Sequence, residues 1–179
     1  MSESKTTVPV SKSPFWQFSI KFYAVPGVAE ACIELQDQAK VDVNILFFLL
    51  WNATQGRTYK KADVAEVERL IGAWRDMAVV PIRNVRRALK VPPAVMTPEA
   101  AEGFRTRIKA VELEAERLQQ EAMYELVGAT PRGQDASSLA DAARGNIAAY
   151  EAMGGKTFPK PAIETLLAAL PASGHTTED

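Results

Sequence analysis

The most constraining feature of the chain is the apolar run at residues 43–51, VNILFFLLW. A segment that is apolar nearly all round a helix predicts a helix buried on every side. The run is too short to cross a bilayer, which needs about 20 apolar residues. Asp42 precedes it as a candidate N-cap, and Gly56 follows as a stop. We therefore predict an apolar central helix near residues 43–55.

The size and composition of the chain fit one globular domain. It has 179 residues, of which 47% are apolar and 24% are charged. A chain of this length can build a hydrophobic core without a metal or a disulfide. We expect a single helical domain at residues 14–171, with disordered tails at 1–13 and 172–179.

The other segments show helical signals. Trp16, Phe18, Ile20 and Phe22 alternate with polar residues as in a strand, but Ser13-Pro14 is a good helix start and no partner strand is evident. The predicted helices are Pro14–Ala24, Pro26–Ala39, the central helix, Ala62–Lys90 with a kink or split at Pro81, Pro98–Val127, Ser138–Met153 and Ala162–Leu170, with a loop at Gly128–Asp135. In Pro98–Val127 the helical spacing is that of Phe104, Ile108, Val111, Ala115 and Leu118. The predicted fold class is all-α, an irregular multi-helix bundle.

The N-terminal half carries a distinctive set of short motifs. These are Trp16, Pro26-Gly27-Val28, Cys32, Leu35-Gln36-Asp37, Asp42-Val43-Asn44 and Trp51. In this half the chain resembles a small, uncharacterised family of proteobacterial helical proteins, a domain of unknown function. The resemblance implies a helical fold and brings no established activity.

Composition argues against several classes of function. The formal net charge of −1 gives no reason to expect nucleic acid or an anionic membrane surface as partner. His175 is the sole histidine and Cys32 the sole cysteine, so ordinary zinc and di-iron sites cannot be built, and we expect no metal and no cofactor. A single cysteine and a polar N-terminus without a signal segment predict a cytoplasmic protein.

Two local patterns have simple structural interpretations. Gly154-Gly155-Lys156-Thr157 ends like a phosphate-binding loop, but Tyr150 stands where the first glycine belongs, so a turn that closes a helix is the better reading. Cys32 shares an apolar helix face with Val28 and Leu35, which predicts a buried, unreactive thiol rather than a nucleophile.

One candidate site lies at the corner between the second and third helices. The candidate ligand-binding residues there are Asp37, Asp42, Asn44, Phe48 and Trp51. Two acids, an amide and an indole could bind a small molecule or support acid–base chemistry if burial split the two carboxyl pKa values. The alternative is structural: Asp42 caps the third helix, Glu34 is solvated and Asp37 bonds the neighbouring turn. Our working arrangement has Asp37 and Asn44 facing each other across the turn.

A second candidate site is a basic stripe. Arg83, Arg86, Arg87 and Lys90 recur at three- and four-residue spacing in a stretch without acids. They could bind an anion or an acidic partner. The alternative is surface ion pairing. In an antiparallel hairpin, some of the acids of the following helix would lie beside Arg75 and Arg83; these acids are Glu102, Glu112, Glu114 and Glu116.

Two classes of function follow. The first is a non-enzymatic accessory or adaptor protein that binds another protein through a helical face. The second is a small-molecule binding protein or enzyme with a polar site at the corner. A cavity lined by the corner residues would favour the second class, whereas a filled core with an exposed apolar patch would favour the first.

Overall fold

The computed structural model describes residues 13–129 and 132–171. In chain order, these residues form α1 (Pro14–Tyr23), α2 (Val28–Ala39), α3 (Val43–Thr54), β1 (Arg57–Thr58), α4 (Lys61–Trp74), a π-helical turn (Arg75–Val79), α5 (Val80–Ala88), α6 (Pro98–Ala129), β2 (Gln134–Asp135), α7 (Leu139–Gly154) and α8 (Lys160–Ala169). The predicted all-α multi-helix bundle is confirmed. The tails predicted at residues 1–12 and 172–179, with His175, lie outside the described residues.

Helix α3 is the centre of the bundle, as its apolar run predicts. It packs against α1, α6 and α7. Leu46 and Leu50 are fully buried and Phe47 is 2% exposed. A helix without a polar face is stable only where neighbours cover every side, and here α2 and β1 complete the cover that α1, α6 and α7 provide.

Helix α1 resolves the ambiguity of the first segment in favour of a helix. Ser13 Oγ accepts a hydrogen bond of 3.1 Å from the Trp16 backbone N–H, and Pro14 occupies the first helical position. Phe15 and Phe22 point into the core. Because Ser13 is itself buried, the predicted tail of residues 1–13 is wrong at this residue.

The junction between α2 and α3 is tight. Lys40 ends α2 with φ 56°, a left-handed conformation in which its N–H bonds the carbonyl of Gln36. This reversal brings Asp42 directly to the start of α3. At the other end of α2, Gly27 has φ 86°, and a Cβ there would lie 3.2 Å from Thr165 of α8, so α8 packs closely on α2.

The long predicted helix at residues 62–90 is interrupted before its proline. Pro81 has no N–H to donate to the preceding turn and its ring crowds that turn. The chain widens into the π turn at residues 75–79, where the Val80 N–H reaches the carbonyl of Arg75. A π turn of this kind inserts one residue and rotates everything that follows it.

In the C-terminal third, one local prediction is wrong and another is confirmed. The loop predicted at Gly128–Asp135 is wrong at both ends, because α6 continues to Ala129 and Gln134–Asp135 pair with Arg57–Thr58 as a two-residue antiparallel sheet. Strands this short carry no periodic signal. The predicted helix-closing turn is confirmed: Gly155 follows α7 with φ 61° and donates to the carbonyl of Glu151.

Candidate functional site

Asp42 caps α3, as predicted. Its Oδ1 accepts hydrogen bonds from the backbone N–H groups of Asn44, at 2.9 Å, and Ile45, at 3.4 Å. These are amides that a helix start otherwise leaves without partners. The side chain is buried, so the cap lies inside the protein rather than at its surface.

Helix α6 closes over this cap with two glutamines. Gln119 donates from Nε2 to Asp42 Oδ2 at 2.9 Å and accepts from Asn44 Nδ2 at 3.2 Å. Gln120 donates to Asn44 Oδ1 at 2.7 Å. Buried polar groups are costly unless they are paired, and here the side chains of α3 and α6 pair one another. This polar cluster, Asp42, Asn44, Gln119 and Gln120, fixes α6 on α3.

Two further groups reach Asp42 from other helices. The Asp42 backbone N–H donates to the Tyr150 hydroxyl of α7 at 3.0 Å. Arg75 Nη1 lies 3.6 Å from Asp42 Oδ2 and is itself held by Glu68 and Asp76. Burial raises the pKa of Asp42, against the hydrogen bond from Gln119 and the charge of Arg75. Burial also raises the pKa of Tyr150.

The structure brings Asp42 and Asn44 of the predicted corner site together but places Asp37 apart from them. Asp37 is exposed and pairs with Arg87 at 3.2 Å, whereas Asn44 is buried against α6, so the expectation that these two face each other is wrong. Phe48 and Trp51 are buried in an aromatic cluster around Phe15. The assignment of these residues to ligand binding stays a prediction.

A shallow cavity of about 330 Å³ lies beside the corner. Its polar lining consists of Lys40, Glu68, Arg75, Tyr150 and Lys156. Lys40 and Lys156 follow the C-terminal ends of α2 and α7, which form part of the cavity wall. Because the helix dipole is negative at a C-terminal end, the positive charge of each lysine is favourable there. The ligand-binding candidates of the corner do not line it. A second cavity, of about 570 Å³, lies between α7 and α8 and is also lined by other residues.

The basic stripe pairs with α6. Arg83 donates to Glu112 at 3.0 Å and to Glu116 at 2.5 Å, and Arg86 also bonds Glu112. Burial alone would raise the pKa of Glu112, but the hydrogen bonds and charges of Arg86 and Arg83 outweigh it and lower that pKa. In Glu116 burial dominates and raises the pKa. Pairing with acids of the next helix is thus confirmed for Arg83 and Arg86.

The rest of the stripe is solvated. Arg87 makes its half-exposed pair with Asp37, and Lys90 is exposed at the end of the helical hairpin that α5 and α6 form. Binding of an anion by Arg83, Arg86, Arg87 and Lys90 stays a prediction, with three of its four cations already paired with carboxylates of the same chain.

The hairpin also exposes apolar side chains. Helix α5 has no buried residue and is held on α6 by the arginine–glutamate pairs. Most of the large apolar side chains that are exposed in the described residues lie on the hairpin or just before it; they are Met77, Val85, Val91, Val95, Met96, Phe104, Val111, Leu113 and Leu118. This surface, rather than the polar corner, is where the molecule leaves apolar area in water.

Sequence reasoning missed the glutamines and the exposed turn. Gln119 and Gln120 are uncharged polar residues on a helix that was interpreted from its apolar positions and its acids, and their proximity to Asp42 depends on how α6 docks. The turn offered a signal that could have been used: Val91-Pro92-Pro93-Ala94-Val95-Met96 is an uninterrupted apolar segment placed between two helices, where polar residues are usual.

Two searches of the described residues give negative results. In residues 13–129 and 132–171, histidine, cysteine and carboxylate side chains form no group of three or more that could hold a metal ion. Over the same residues, no helix combines the length and the apolar character that crossing a membrane requires.

Comparison with known proteins gives one result. Residues 14–123, from α1 into the C-terminal half of α6, match the model of a family described as a protein of unknown function (DUF2390). No curated protein and no solved structure matches the chain. The matched segment contains the polar cluster's α3 and α6 residues and the whole hairpin turn, and it excludes α7 and α8.

Proposed function

The chain belongs to DUF2390, a family of proteins of unknown function, and because that membership assigns no activity, we propose from its surface that it is a non-enzymatic accessory protein that binds another protein. The binding element is the hairpin turn at residues 91–96, here called the tip segment. A cytoplasmic setting fits the single cysteine, which can form no intramolecular disulfide.

The observation that carries the proposal is the exposure of the tip segment. Val91 and Val95 are 85% and 87% exposed, and Met96 is 47% exposed. Leaving apolar area in water costs roughly 25 cal/mol per Å² relative to burying it. A run of consecutive exposed apolar residues therefore has no benefit within the monomer and is typical of a contact surface.

The tip segment is also built to hold its shape. The Met96 N–H donates to the carbonyl of Pro93 at 2.9 Å, and Thr97 Oγ1 accepts from the Ala100 N–H at the start of α6. The two prolines restrict the backbone further. A shape fixed before binding loses less conformational entropy on association than a flexible loop would.

A protein is the favoured class of partner because of the charges nearby. Arg83 and Arg86, the cations that could have followed a phosphate backbone, are engaged by Glu112 and Glu116. Nucleic-acid surfaces need free basic residues, usually with interleaved aromatics, and the tip segment supplies neither. The rival, a small molecule at the corner, is supported by the 330 Å³ cavity next to Tyr150, but the core residues proposed for that site lie elsewhere.

The test is capture of a partner by the tip segment itself. A photoreactive amino acid placed at Val95 of the tagged full chain should crosslink to a defined protein in cells that express it. The matched control is the same amino acid at Ile33, which is 50% exposed on α2. The crosslinked protein should then co-purify with the wild type and with Ile33→Ser, and be lost from Val91→Ser/Val95→Ser.

Folding is monitored by thermal unfolding, which these changes at exposed positions should leave nearly unaltered. Equal capture from Val95 and Ile33, or undiminished co-purification with Val91→Ser/Val95→Ser, would overturn the proposal.

A further inference from the structure

Helix α6 carries a second apolar feature, separate from the tip segment. Its residues Phe104, Ile108, Val111, Ala115, Leu118 and Ala122 are spaced alternately by four and three positions. That is the spacing of a coiled-coil seam, in which two helices pack side by side along a narrow apolar stripe. The α6 stripe, as these six residues are called below, extends over about 27 Å at 1.5 Å per residue.

The α6 stripe is covered along one edge and open along the other. Ala115 is 5% exposed, and its carbonyl accepts a hydrogen bond of 3.0 Å from Trp74 Nε1 at the end of α4. Phe104, Val111 and Leu118, which follow one another at seven-residue intervals, are 42%, 51% and 42% exposed. The open edge is therefore long enough to contact a second helix along its length, and it presents an exposed apolar side chain every seven residues.

Charges along the open edge are divided into two halves. Arg107 lies next to the N-terminal part of the stripe, with its guanidinium 5.6 Å from the centre of the Phe104 ring. Glu114 lies one heptad further on the same side, and its side chain is 55% exposed while it pairs with Arg117. This flank of the stripe thus carries a basic side chain, Arg107, towards its N-terminal end and an acidic side chain, Glu114, towards its C-terminal end.

We propose that two copies of this chain associate through their α6 stripes in antiparallel orientation. A two-fold axis near Val111 places Phe104 of one copy beside Leu118 of the other. In antiparallel helix pairs the same flank of each helix meets the other, so Arg107 of each copy faces Glu114 of its partner, and the pairing occurs twice. In a parallel pair in register, the flank of one helix would meet the opposite flank of the other, so Arg107 and Glu114 would not meet.

This inference does not depend on the proposed function. The tip segment lies beyond the N-terminal end of α6, so an antiparallel pair would carry its two tip segments at opposite ends, both uncovered. Loss of the dimer can therefore be distinguished from loss of partner binding by the tip segment.

The experiment is sedimentation velocity of the full-length protein over a concentration series. The wild type should show a dimer whose fraction rises with concentration. Val111→Glu places two like charges beside the two-fold axis and should raise the dimer dissociation constant at least roughly tenfold, as like-charge juxtaposition does. The matched control is Leu113→Glu, since Leu113 is 48% exposed on the opposite side of α6 and should leave the dimer intact.

Charge reversal tests the orientation. Arg107→Glu and Glu114→Arg should each weaken the dimer, and the double variant Arg107→Glu/Glu114→Arg should restore it, because each reversed charge again meets its opposite. Circular dichroism should show unchanged helix content in all variants, since the altered positions are exposed. A wild type that stays monomeric at every concentration, a Leu113→Glu effect equal to that of Val111→Glu, or a double variant no better than the singles would overturn the proposal.

Discussion

Gln119 donates a hydrogen bond of 2.9 Å from its Nε2 to Oδ2 of Asp42, joining helices whose residues lie 77 positions apart in the chain. The same carboxylate caps α3 through its other oxygen. One side chain therefore sets both where the central helix begins and where the long helix α6 rests on it. Because α6 also carries the hairpin, the placement of the exposed apolar surfaces depends on this buried contact.

Replacing Asp42 by alanine should destabilise the protein by more than the loss of an ordinary N-cap. The cap alone is worth about 0.5–2 kcal/mol. The change also leaves the buried Gln119 amide without its acceptor, which adds roughly 1–3 kcal/mol. The control is Asp37→Ala, because Asp37 is exposed and its change should stay within about 0.5 kcal/mol. Urea denaturation measures both, and equal losses would show that the polar cluster contributes nothing beyond solvent-exposed pairing.

Glu112→Gln should lower the free energy of unfolding at neutral pH by about 3 kcal/mol, because it leaves the partly buried Arg86 without a carboxylate and Arg83 with Glu116 alone. The folded-state pKa of Glu112 lies below its ordinary value of 4.5. Its ion pairs therefore stabilise the fold above that pH, and this contribution is lost as pH falls through the lowered pKa.

The measurement is the difference in unfolding free energy between the wild type and Glu112→Gln, followed from neutral pH to below 4.5. The difference should shrink on acidification. Glu164→Gln is the matched control, since Glu164 makes an exposed pair with Arg144, away from α6, that is worth at most about 1 kcal/mol. A difference that stays constant with pH would mean that the charge of Glu112 is not what stabilises the hairpin.

Cys32 should react with thiol reagents only when the protein unfolds. The side chain is 1% exposed, and burial raises its pKa to about 12, so almost none of it is thiolate at neutral pH. The rate of labelling by a chromogenic disulfide should be far lower in the native protein than in urea. Native and denatured protein reacting at the same rate would contradict the predicted burial.

Leu50→Ala and Leu46→Ala should each cost about 2–5 kcal/mol, the range for a fully buried leucine in a close-packed core. Ile33→Ala provides the comparison, since Ile33 is half-exposed on α2 and has little packing to lose. Thermal and urea unfolding report both. Small losses at both leucines would place α3 at the edge of the bundle instead of its centre.

The candidate site was only partly predictable from the sequence. Asp42 as an N-cap follows from residue type and position, since the hydrogen bonds it makes along α3 are local. That Arg83 and Arg86 pair with acids of the next helix follows from the short Pro92-Pro93 connection, which forces the two helices to run antiparallel. The position of Asp37 relative to Asn44 was predicted wrongly because it depends on the angle between α2 and α3, which is set at Lys40. Lys40 adopts a left-handed conformation, and a non-glycine residue rarely does so.

By itself the sequence determined most of the helices, the burial of α3 and the starts of α1, α3 and α6, because these depend on apolar periodicity and on caps that lie within a few residues of each other. Only the tertiary structure decided what covers each helix. The docking of α6 on Asp42 buries Gln119 and leaves Phe104, Val111 and Leu118 in solvent, although all of these residues lie on one amphipathic helix. Periodicity identifies an apolar face but not the neighbour that covers it, since that depends on contacts between residues far apart in the chain.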